Sequence, residues 1–105
     1  MITILNSSVL TNFGVYEYSH LNMEAARELL LKEGYQSAIG HEETATALSR
    51  LLGFEVPVNR IEYRQQPGEK VIVFKIKRRL AAGAIATADE IEATGYETGL
   101  LERIN

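Results

Sequence analysis

The sequence predicts one α/β domain over residues 1–105, a mixed β-sheet with helices packed on it. Three observations predict it. Short β-rich runs alternate with two amphipathic helical stretches. Glycine, proline or asparagine marks most of the junctions. A chain of 105 residues with no cysteine and no internal repeat suits one core without a disulfide or cysteine-bound metal staple.

Residues Ile2 to Leu5 form a short β-rich run ended by Asn6-Ser7-Ser8. Val9 to Asn12 continues the loop, Gly14 punctuates it, and Val15 to Tyr18 reads as a second strand. Asn22 is a natural N-cap for a helix from about Met23 to Glu33. Its apolar face takes Ala26, Leu29, Leu30 and Leu31, and Gly34 stops it. Tyr35 to Ile39 reads as a buried strand. A second helix runs from His41 or Glu42 to Leu52, with Ala45, Leu48, Leu51 and Leu52 on one face and Gly53 at its end. Pro57 makes Phe54 to Asn59 a connector. Arg60 to Gln65 and Lys70 to Arg79 then read as strands of a hairpin around the turn Gln66-Pro67-Gly68-Glu69. Leu80 to Ala86 is rich in small residues. Thr87-Ala88-Asp89-Glu90 is a capping box for a short helix to about Thr94, and Tyr96 to Ile104 is a last strand.

Composition excludes several classes. Without cysteine there is no disulfide and no thiolate chemistry, which suits a reducing cytosol. The start M-I-T-I-L-N-S-S lacks the basic region and the long apolar run of a signal peptide. No window reaches the roughly 20 apolar residues of a membrane span. A soluble intracellular protein is therefore expected. The net charge of -3 is unevenly spread: Arg60 to Arg79 holds seven bases against two acids, and the remainder four bases against twelve acids. That pattern suits a focused anion better than duplex DNA.

On the expected hairpin, side chains alternate between faces. Ile72, Phe74 and Ile76 point to the core. Lys75, Lys77 and Arg79 follow Val71 and Val73 on the other side, and Arg60, Glu62 and Arg64 alternate with Ile61 and Tyr63. The two basic sets can share a face. It reads either as a phosphate platform or as a solvated face with charged edge residues.

S-A-I-G-H-E-E-T-A, from Ser37 to Ala45, runs through a glycine into a histidine at a helix start. The first N–H groups of a helix lack intrahelical partners and lie at the positive end of its dipole, so an anion gains there. Gly40 allows close approach, His41 stands beside any bound phosphate, and Thr44 brings a hydroxyl one turn on. Glu42 and Glu43 fit the plainer alternative, in which they balance the dipole and His41 is a partly exposed cap. His20 has no cluster around it and takes no role. No P-loop, nucleophile elbow or dinucleotide fingerprint is present.

L-N-S-S-V-L-T-N, S-A-I-G-H-E-E-T-A, V-P-V-N-R-I and the closing G-Y-E-T-G-L-L-E-R-I stand together, in that order, over nearly the whole chain. In this combination the sequence resembles the small viral ring-nuclease family of type III anti-CRISPR proteins. The resemblance implies a homodimer that binds cyclic tetra-adenylate and cleaves the ring without metal or cofactor. In doing so it silences the nucleases which that messenger activates. It implies His41 as the catalytic histidine and Arg79 as its catalytic partner. It implies ligand contacts at Asn6, Thr11, Gly40, Thr44, Arg60 and Lys75. Members carry a glutamate three residues past the last arginine; here that position is Ala82, which points to slower turnover.

These features lead to one expected mechanism. A ribose 2′-hydroxyl attacks its own 3′-phosphate, His41 protonates the departing 5′-oxygen, and Arg79 stabilises the phosphoryl charge, leaving a 2′,3′-cyclic phosphate. A two-fold dimer suits a ring of four identical nucleotides, and Leu80 to Ala86 is a candidate lid. Two alternatives remain: a sponge that binds the ring with little turnover, motivated by Ala82, and a non-enzymatic regulator from a mobile element. The lack of a recognition helix rich in Arg, Asn or Gln argues against the second. No duplex DNA and no membrane is expected as a partner.

Overall fold

The computed structural model describes residues 1–6, 12–76 and 96–105. Within them the order is β1 (Ile2–Leu5), β2 (Tyr16–His20), α1 (Met23–Glu33), β3 (Tyr35–Ser37), α2 (Glu42–Leu52), β4 (Lys70–Ile76) and β5 (Tyr96–Arg103). The five strands make one mixed sheet, ordered β2-β5-β4-β1-β3. β1 is parallel to both neighbours, with Ile4 opposite Ser37 on one side and Ile72 on the other. β5 runs antiparallel to both β4 and β2.

Local chemistry sets both helices. Asn22 accepts a 2.8 Å hydrogen bond from the Ala25 N–H, and the Gly34 N–H closes the far end on the Leu30 carbonyl. α2 ends at Gly53, whose left-handed backbone (φ 82°) suits a residue without Cβ. Arg27 donates from α1 to the Leu52 and Leu51 carbonyls at 2.8 and 3.1 Å. A cation thus meets the negative end of α2 and satisfies two carbonyls that have no helical partner. Asn22→Ala should cost about 1 kcal/mol, read as a fall of about 4–8 °C in Tm.

Both helices cover one face of the sheet. Ile2 and Ile4 of β1, Ile72 and Phe74 of β4, and Ala26, Leu30, Ala45, Leu48 and Leu52 of the helices form the main core, joined by Ile39 and Val56. The opposite face carries a second apolar cluster, Val71, Val73 and Leu101, against which Leu5, Tyr16 and Tyr63 pack. Partial burial pushes the Tyr63 phenol above its ordinary pKa, and the Glu69 charge adds to this. Leu31, placed by its spacing on the apolar face of the first helix, is instead 63% exposed.

The expected hairpin does not form. Residues 54–66 hold no strand, because β4 already has β1 on one edge and β5 on the other. Arg60 to Gln65 instead passes outside the sheet. It is held where the buried Gln65 side chain donates to the Glu69 and Leu101 carbonyls, at 2.8 and 2.9 Å. The turn at Gln66 to Glu69 is present, closed by a bond from the Glu69 N–H to the Gln66 carbonyl. β2 begins one residue and ends two residues later than expected, and β3 stops at Ser37 rather than Ile39. The small-residue stretch from Leu80 to Ala86 and the helix expected from Thr87 lie outside the described residues.

Candidate functional site

β4, β1 and β3 are adjacent and parallel, so their carboxyl ends leave the sheet on one edge. Neighbouring strands are spaced by ~4.8 Å, which makes this edge about 10 Å wide. Asn6 is the first residue past β1, and Gly40 and His41 follow β3 and open α2. Lys75 lies two residues beyond Val73, the partner of Leu5. In open α/β sheets ligands bind outside the carboxyl ends of the strands, where connections diverge. Here the chain leaves β3 into α2 and crosses over β1 to reach β4.

His41 is the N-cap of α2, with extended backbone (φ -122°, ψ 127°) and no capping bond from its side chain. Its carbonyl accepts the first helical bond, from the Ala45 N–H at 3.0 Å. The imidazole is exposed, and Thr44, in the first turn, is half-buried. Arg60 lies against this junction. Its Nη2 donates to the Gly40 carbonyl at 2.9 Å, and a Cβ placed on Gly40 would stand 3.3 Å from the Arg60 Nε. Gly40 therefore leaves room for the guanidinium beside the histidine. The adjoining Asn59 holds the same segment, with its main-chain N–H on the Ile39 carbonyl and its Nδ2 on the Ser37 carbonyl, both at 2.8 Å. Asn59 was not among the expected site residues, since nothing local in P-V-N-R marks the distant carbonyls it meets.

The structure thus brings Asn6, Gly40, His41, Thr44 and Arg60 to one edge, but not by the expected basic hairpin face. Lys75 is exposed at that edge and alternates with Phe74, so it stands on the face opposite the helices. Val71 and Val73, expected to share a cationic face, are fully buried. Arg64 points elsewhere, 2.8 Å from Glu62, and makes no part of a platform with Arg60. Thr11, Lys77, Arg79 and Ala82 lie outside the described residues. Among the described residues no three His, Asp or Glu side chains gather as a metal ion would need. An open cleft of about 580 Å³ between α2 and residues 53–58 includes Glu42 and none of the expected site residues.

Gly40→Ala should crowd the Arg60 guanidinium and, on the expectation of a nucleotide ligand at this edge, weaken its binding. Arg60 is exposed and able to yield, so stability should stay within about 1 kcal/mol of the parent. Isothermal titration with cyclic tetra-adenylate, paired with thermal unfolding, checks both. An unchanged affinity would show that this guanidinium does not meet the ligand.

Fold and site define a class: a small two-layer α/β protein with its polar residues at the carboxyl ends of parallel strands. The chain belongs to the STIV B116-like family, whose model matches residues 2–98. It is 39% identical to "Uncharacterized protein 26" of Sulfolobus islandicus filamentous virus (isolate Iceland/Hveragerdi) over 107 residues, covering 97% of this chain and 91% of the relative. It is 38% identical to "Uncharacterized protein ORF117" of Acidianus two-tailed virus over 92 residues, covering 85% and 79%. A bacterial relative, "Uncharacterized protein YddF" of Bacillus subtilis (strain 168), is 32% identical over 106 residues, covering 99% and 98%. The fold is similar to the solved structure of B116 of Sulfolobus turreted icosahedral virus, with a TM-score of 0.84 at 23% identity, covering 97% of this chain and 98% of B116. The expected α/β domain with a mixed sheet is thus the fold of this family, whose members include proteins of archaeal viruses.

Proposed function

We propose that this protein is a ring nuclease that binds cyclic tetra-adenylate and opens it without a metal ion, countering type III CRISPR defence. The observation that carries the reading is the meeting of Asn6, Gly40-His41 and Arg60 at the carboxyl ends of parallel strands. An exposed imidazole, a helix N-terminus and a guanidinium on one edge are the groups that in-line phosphodiester cleavage needs. In the reaction a ribose 2′-oxygen bonds to its neighbouring phosphorus as the bond to the 5′-oxygen breaks. His41 gives its proton to that oxygen, the 2′ proton passes to solvent, and a 2′,3′-cyclic phosphate remains. Arg79 stabilises the charge on the phosphoryl oxygens. Asn6, Thr11, Gly40, Thr44, Arg60 and Lys75 hold the ring. Two copies related by a two-fold axis would present two such sites to a four-fold repeated ligand in the host cytoplasm. No helix among the described residues is long and apolar enough to cross a membrane.

The test is incubation of the pure protein with cyclic oligoadenylates of several sizes in the presence of a chelator, with products weighed by mass spectrometry. Linear products ending in a 2′,3′-cyclic phosphate are expected. Absence of binding to any ring size would sink the reading. Ala82 favours a second reading, a sponge with little turnover. Excess substrate separates the two, since a sponge binds stoichiometrically and releases no linear product.

A further inference from the structure

The His41 imidazole is exposed and makes no capping bond, so its position is inherited from its main chain. On the helix side that main chain is anchored by the Ala45 bond and by burial of Ala45, Leu48 and Leu52. On the strand side the ladder ends at Ser37, and residues 38–40 belong to no element. Their inward side is held by the Ala38 N–H on the Ile4 carbonyl, the Ile39 N–H on Ser37 Oγ and the buried Ile39 side chain. Their outward carbonyls are met by two consecutive residues. The Asn59 carboxamide donates to the Ser37 carbonyl, the Asn59 main-chain N–H donates to that of Ile39, and Arg60 donates to that of Gly40. β3 is an edge strand, so these bonds also close its outer side.

We propose that Asn59 is a positioning residue for His41, its carboxamide fixing the strap from which the imidazole projects. The proposal rests on the reading of His41 as the general acid. Arg60 cannot be isolated in the same way, because its guanidinium also stands where a phosphate would bind. The Asn59 carboxamide, by contrast, is committed to main chain 22 residues away. Asn59 is exposed on its outer side, so truncating it opens no core cavity. A general acid works only within hydrogen-bond reach of the leaving oxygen, and a displacement of about 1 Å is enough to lose on the order of 100-fold in rate.

Two variants test this: Asn59→Ala, and Asn59→Asp, which keeps the shape but loses the N–H donor. For each, affinity for cyclic tetra-adenylate and the single-turnover cleavage rate are measured. Relaxation of the His41 Cε1–H group and amide exchange at Ala38 and Ile39 are followed by NMR in the ligand-free protein. Both variants should keep native spectra in β4 and β5 and hold affinity within about threefold. Cleavage should slow about 10- to 100-fold, with faster exchange at Ala38 and Ile39 and a more mobile imidazole. Cleavage at the parental rate, or a loss of rate and affinity together with unchanged imidazole relaxation, would overturn the proposal. Loss of the native spectrum in both variants would also overturn it, since Asn59 would then hold the fold rather than the histidine. If the parent does not cut the ring, the nuclease reading fails by itself, and imidazole relaxation alone decides the role of Asn59.

Discussion

His41→Ala should slow ring opening by ~10²–10⁴-fold, the usual contribution of a positioned general acid, while leaving affinity for the ring nearly unchanged. The 5′-alkoxide is a poor leaving group, and without a proton donor it departs as a bare anion. Binding should survive because the proposed cradle draws on other groups: Asn6, the N-terminus of α2, and the Arg60 guanidinium against Gly40. The imidazole is exposed and makes no capping bond, so its removal should leave stability within about 0.5 kcal/mol of the parent. Single-turnover kinetics with titration of the ring measures both quantities. Parental cleavage by the variant removes His41 from the chemistry. Loss of affinity in step with rate makes it a binding group instead.

Phe74→Ala should destabilise the protein by about 3–5 kcal/mol. Phe74 is 1% exposed in a strand with neighbours on both edges, and its ring belongs to the core under the helices. Truncation removes apolar contacts from a layer that the flanking strands hold open, so the cavity relaxes only partly. Against a total stability of about 5–15 kcal/mol for a domain, this is a large share, seen as a fall in Tm of about 15 °C or more. Val58→Ala, at a side chain 48% exposed, is the control and should change stability by about 0.5 kcal/mol or less. Equal effects at the two positions would show that the sheet is not packed as described.

Both helices were legible in the sequence because their signals are local. Asn22 and Gly34 bracket α1, and the glycine-histidine junction and Gly53 bracket α2, within a residue of their observed ends. β1, β4 and β5 were legible as runs of β-rich residues; β4 is described from Lys70 to Ile76, and the rest of its expected span to Arg79 lies outside the described residues. The failure at Arg60 to Gln65 has a non-local cause. Its alternation is real, but a strand needs an open edge, and those of β4 are taken by chain far away in sequence. The placement of the basic residues failed with it: Arg60 belongs to the histidine edge and Arg64 to a surface pair with Glu62. The Gly40-His41 junction could be read from a helix start alone. Asn59 could not, because its role exists only once the Ser37 carbonyl has been brought beside it.

The position of β5 inside the sheet, between β2 and β4, bears on how the protein is made. Tyr16 finds its partner in Arg103, and among the described residues β2 joins the other strands only through β5. Such distant pairings slow folding. During synthesis the segment containing β4 waits with one edge bare until residues 96–103 leave the ribosome. Bare edges recruit other chains. Messages cut short before codon 96 should therefore yield aggregates rather than weakened protein, and a chaperone that shields nascent strands should raise the yield of the intact product.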